Sequence, residues 1–152
     1  MLQRIQTLYM LAAVVACMVC LSTCVGHLVG GDLLGAADIY NLWILMPDGN
    51  HTFQVWALFV LLVLTATLSF IAIFLYKKRT LQMRLCTFSI LLSVGWYGVY
   101  AVFAYLLAQQ FNAAFRVHWA ASLPFAAIVL LVLAWRGILK DEKLVRSLDR
   151  LR

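Results

Sequence analysis

The chain has 152 residues, of which 65 % are apolar and 12 % charged, and its formal net charge is +6. Soluble domains average roughly 45–50 % apolar and about 25 % charged residues, so this composition excludes an ordinary water-soluble globule and points to lipid as the solvent. A disulfide scaffold is excluded too, because Cys17, Cys20 and Cys24 fall in the first apolar run and Cys86 opens the third.

The first run extends from Leu8 to about Val29. Val14-Val15-Ala16-Cys17 looks like a lipoprotein cleavage box, but the run continues well past Cys17, so a retained span is expected. The outer loop, 30–54, follows. Its glycines Gly30, Gly31 and Gly35 end the helix, and Pro47-Asp48-Gly49-Asn50 signals a turn. β-Branched and aromatic residues flank that turn, so a small hairpin on the outer surface is expected. A short interfacial helix from Ala36 to Met46 is the alternative.

The second run is 55–76, the third 85–108 and the fourth 119–135. A helix needs about 20 residues, range roughly 17–25, to cross the hydrocarbon core. Backbone groups in lipid must be satisfied within the segment, and none of the four runs contains a charged residue. The expected fold is an all-α integral membrane protein: a four-transmembrane-helix bundle with a small outer-side loop or hairpin and a cytoplasmic amphipathic C-terminal helix. The membrane domain covers 1–136 and the tail 137–152.

Eleven of the twelve Lys and Arg residues fall before span one, between spans two and three, or after span four; the exception is Arg116. Positive residues stay cytoplasmic, so both termini are expected there. In the tail, Leu144, Val145, Leu148 and Leu151 share one helical face, and Lys143, Arg146, Asp149 and Arg150 take the others. Lys140, Lys143, Leu144, Arg146, Leu148, Arg150, Leu151 and Arg152 form the candidate interaction surface, for anionic lipid or for a partner's groove.

Gln3-Arg4-Ile5-Gln6-Thr7-Leu8-Tyr9, Arg84-Leu85-Cys86, Leu123-Pro124 and the tail from Lys140 to Arg152 resemble a bacterial membrane-protein family, domain of unknown function 4293, typical of the Bacteroidota. The resemblance runs end to end and is most specific in the tail. It implies a four-span inner-membrane protein of unassigned activity and brings no catalytic or ligand residues with it.

Cys17, Cys20, Cys24 and His27, spaced three, four and three, are read as one face of span one. Thiolates and imidazole are ligands for zinc, copper or iron–sulfur centres, but one straight helix cannot wrap four ligands around an ion. Close helix packing of small, soft side chains is the competing explanation. His51 and His118 lie on the outer side with His27, where Asp32, Asp38 or Asp48 would have to converge with them to hold a metal. Gly26 and Gly30 form a small-xxx-small pair for helix contacts within the chain or between two copies. Trp96, Tyr97 and Tyr100 lie away from both interfaces and suit either bundle core or a lipophilic pocket.

No nucleotide-binding glycine loop, zinc-protease helix or nucleophile elbow is present. The expected function is therefore a non-enzymatic accessory or scaffold subunit without a cofactor. Its partners would be the bilayer and a protein at the cytoplasmic face, with homo-oligomerisation through the glycines as a further option and no nucleic acid. A small transporter or lipophilic-ligand carrier is the first alternative, and a membrane thiol/metal redox protein is the second.

Overall fold

The computed structural model describes residues 2–31, 35–76 and 78–149, with side chains described between 5 and 144. Arg150, Leu151 and Arg152 of the expected interaction surface lie outside the described residues, and of Arg146 and Leu148 only the backbone lies within them.

Four long helices dominate: α1 (Leu2–Ser22), α2 (Trp56–Phe74), α3 (Arg79–Gln110) and α4 (Leu123–Asp149). All four are long and apolar enough to cross a membrane. They pack in a ring, α1 against α2 and α4, and α3 against α2 and α4. The core is lined by small or medium side chains such as Ala13, Cys17, Cys20, Ala66, Ala127 and Leu131, which let the backbones approach closely. A second, smaller cluster joins Met10, Ala72, Cys86, Ala134 and Ile138 near the other end. Large apolar residues point outward instead: Leu8, Met18, Phe70, Phe74, Phe88, Leu91, Val102 and Phe125 are all exposed. That outward apolar surface is what a helix facing lipid presents.

One end of the bundle carries a five-stranded antiparallel sheet, so the fold is mostly helical rather than all-α. Its strands are β1 (Gly26–Val29), β2 (Ala36–Ile39), β3 (Ile44–Leu45), β4 (His51–Thr52) and β5 (Ala114–Val117), in the order β4-β3-β2-β1-β5. Both interhelical segments at this end contribute: the first supplies four strands and the second adds β5 beside β1. The expected turn at Pro47–Asn50 does join a hairpin, with Ile44 opposite Thr52 and Leu45 opposite His51. Gly49 sits there at φ +78°, which glycine adopts without a steric penalty. The alternative interfacial helix over 36–46 is overturned by β2 and β3.

The first helix also ends before its apolar run does. Ser22 and Thr23 return their hydroxyls to the Met18 and Val19 carbonyls, closing the last turn of α1. Beyond that point the chain alternates: Gly26 and Leu28 are buried, while His27 is half-buried and Val29 exposed. Strand periodicity replaces helix periodicity while the hydrophobicity continues.

Candidate functional site

The sheet is fixed to the bundle by aromatic residues of α3. The Trp96 indole N–H donates to Asn41 Oδ1 at 3.1 Å, and Asn41 Nδ2 donates to the Cys20 carbonyl at 2.6 Å. Asn41 is fully buried. It therefore serves a C-terminal carbonyl of α1 that has no intrahelical partner, and ties it to α3. Tyr100 stacks on Trp96 with ring centroids 4.9 Å apart and donates its hydroxyl to the Val25 carbonyl at 2.7 Å. The Tyr97 hydroxyl donates to the Ala121 carbonyl at 2.7 Å and accepts the Phe125 N–H at 2.9 Å. That bond serves an unpaired donor in the first turn of α4, where Pro124 costs little.

These bonds position a cluster at the start of the sheet. Cys24 lies in the short link after α1, His27 on β1 and Asp38 on β2. The β1–β2 register places His27 opposite Asp38, and the β1–β5 register places it opposite Arg116. His27 Nδ1 is 2.7 Å from Asp38 Oδ1 and 3.8 Å from Cys24 Sγ. The thiol, imidazole and carboxylate ligand atoms all lie within 4.8 Å of one another. His118 follows β5, its ring edge-on to that of His27 with centroids 5.3 Å apart. Burial raises the Cys24 thiol above its ordinary pKa, and the nearby Asp38 carboxylate adds to the rise. The thiol donates to the Gly26 carbonyl at 3.0 Å.

Beside the cluster, Tyr97, Tyr100, His118, Trp119 and Phe125 wall an open, mainly apolar cleft of about 540 Å³. His118 is common to both features. The aromatic residues of α3 thus do two things: Trp96 is buried core, while Tyr97 and Tyr100 face the cleft.

A sequence profile described as a domain of unknown function (DUF4293) matches residues 2–151, almost the entire chain.

The chain belongs to the DUF4293 family.

A comparison with curated proteins finds no match. In this DUF4293 protein the expected thiol series divides into two parts. Cys17 and Cys20 stay on α1 and are buried in the bundle, whereas Cys24 and His27 lie beyond the helix end. The four do not share one helical face, because the helix stops two residues before Cys24. Gly26 and Gly30, expected as a helix-packing pair, lie instead on β1 and in the turn after it, where Gly30 has φ +84°. A Cβ on Gly26 would stand 2.7 Å from the Phe115 ring of β5, so its small size serves strand packing. Of the three histidines, His27 and His118 come together, while His51 packs against Trp43. Asp38, one of the three aspartates expected to be able to converge with the histidines, is brought to His27 by strand register.

The opposite end of this DUF4293 chain is polar. Gln6 Nε2 donates to Asp141 Oδ2 at 2.8 Å, and Arg79 Nη1 donates to the Asp141 carbonyl at 3.4 Å. Lys140 and Lys143 belong to the same stretch of α4, and Leu144 beyond them is half exposed.

Proposed function

We propose that the protein is a non-enzymatic accessory or scaffold subunit of a bacterial inner membrane. It crosses the bilayer four times, with both termini cytoplasmic and the sheet on the outer side. Charge placement supports this orientation: Arg79 and Arg84 in the first turns of α3, and Arg136, Lys140 and Lys143 in the second half of α4, lie toward the end of the bundle remote from the sheet, and such residues resist export. The observation that carries the scaffold role is the continuity of α4. It runs from Leu123 through the bundle to Asp149 without a linker. Asp141 is bonded to Gln6 of α1 and Arg79 of α3 where the helix leaves the bundle. The basic amphipathic segment is therefore held at a fixed angle to the membrane domain. A rigid arm loses less entropy on docking than a tethered one.

Deletion of Lys140–Arg152 tests this. The truncated chain should remain in the membrane fraction, while a stoichiometric protein that co-purifies with the full chain in mild detergent is lost. The same partner set with and without the tail overturns the scaffold role. Reporter fusions active outside the cytoplasm at either terminus overturn the orientation.

The aromatic cleft favours a second reading, a carrier of a lipophilic molecule. Its volume of about 540 Å³ lies within the range of small-ligand pockets, roughly 300–1,000 Å³. Native mass spectrometry showing a bound lipid that is lost on Phe125→Ala would select this reading over the scaffold.

A further inference from the structure

We propose that Cys24, His27 and Asp38 form a binding site for a single divalent transition-metal ion of the zinc class. Three observations carry this. The donors come from three different elements, the link after α1, β1 and β2, so they can surround an ion as residues on one helix cannot. Their ligand atoms already lie within 4.8 Å of one another. The side chains of His27 and Asp38 are 35 % and 39 % exposed, which leaves a path for an ion from solvent.

The distances suit zinc. Bonds of about 2.0–2.3 Å in a tetrahedron put neighbouring ligand atoms about 3.3–3.8 Å apart. Cys24 Sγ and His27 Nδ1 are 3.8 Å apart now. The 2.7 Å contact between His27 Nδ1 and Asp38 Oδ1 is a hydrogen bond, and it widens when a cation replaces the bridging proton. The thiol proton passes to water, and the imidazole keeps one proton on the nitrogen facing away from the ion. Mixed sulfur, nitrogen and oxygen donors select against calcium and magnesium, which take oxygen ligands. His118 is the next donor in space, but its Nδ1 already accepts the Ala120 N–H. The fourth position is left to water or to the His118 Nε2.

The test uses full-length protein without a polyhistidine tag, kept reduced in mild detergent, stripped with chelator and titrated with Co²⁺. One equivalent per chain should bind, with a thiolate-to-metal charge-transfer band that Zn²⁺ abolishes by displacement. Cys24→Ser should remove the band. His27→Gln and Asp38→Asn should each weaken uptake at least about tenfold, and His51→Ala should leave it unchanged. No uptake, or uptake indifferent to Cys24→Ser and His27→Gln, overturns the proposal. A measurement on the unaltered protein guards against misfolded variants. Zn²⁺ should protect Cys24 from maleimide, read by peptide mass spectrometry, and equal modification with and without Zn²⁺ overturns the site.

Discussion

Asp38 stands directly across the β1–β2 ladder from His27, with its Oδ1 2.7 Å from the imidazole Nδ1. This pairing depends on strand register, since a slip of one residue would turn one of the two side chains to the opposite face of the sheet. The first expectation concerns the thiol beside it. Burial, with a smaller contribution from Asp38, holds the Cys24 pKa above its ordinary value. At neutral pH the thiol is therefore protonated and should react with maleimide more slowly than a free cysteine. The rate should climb as pH rises beyond the ordinary thiol range. Asp38→Asn should lower the pKa and quicken the reaction at a given pH. The linked stability has the opposite dependence: the fold favours the protonated thiol, so this contribution is complete below the ordinary pKa and is lost as pH rises through the raised one. Alkylation rates between neutral and alkaline pH check the sign.

Asn41→Ala should cost several times more than a surface substitution. It leaves the Trp96 indole N–H and the Cys20 carbonyl without the side chain that joins them. Each buried polar group so stranded costs about 1–3 kcal/mol. Thermal unfolding in detergent, followed by Trp fluorescence, should show a large fall in midpoint. Trp96→Phe should lower the midpoint too, because it strands the buried Asn41 Oδ1 and leaves a cavity where the indole packed.

Gly30 and Gly31 both have positive φ, yet alanine should be tolerated at one and not at the other. Around Gly30 there is open space, so alanine pays only the left-handed backbone cost of about 1–2 kcal/mol. At Gly31 an added Cβ would stand 2.3 Å from the carbonyl oxygens of Phe111 and Asn112. Gly31→Ala must therefore displace the segment leading into β5. Hydrogen exchange should show lost protection across 114–117 for Gly31→Ala and little change for Gly30→Ala.

Gln6→Ala should loosen the exit of α4 from the bundle by removing its bond to Asp141. A neutral-to-charged hydrogen bond contributes about 1.5–3 kcal/mol, less here because the pair is only partly buried. Limited proteolysis near residue 140 should speed up, while the melting of the sheet end stays unchanged.

The helices were legible because hydrocarbon-length apolar runs have few alternatives. The β3–β4 turn was legible from Pro47 and Gly49. β1 was not, because Gly26-His27-Leu28-Val29 continues the hydrophobicity of α1 and differs from it only in period. β5 was not, since its four residues become a strand by pairing with β1 far away in sequence. At the site, Cys24 and His27 stood out as residue types, and the helical spacing that linked them to Cys17 and Cys20 was accidental. His118 and Asp38 were nameable only as donors on the same side. Their convergence on His27 is a property of the sheet, which no local window contains.

Because β5 follows the third helix in the chain, the cap cannot close until that helix has been made. Until then β1 is a bare edge strand with unpaired amides, open to adventitious pairing with a neighbouring chain. Folding therefore has a long-range closing step, and slow formation of α3 would prolong the interval in which the half-built cap is vulnerable.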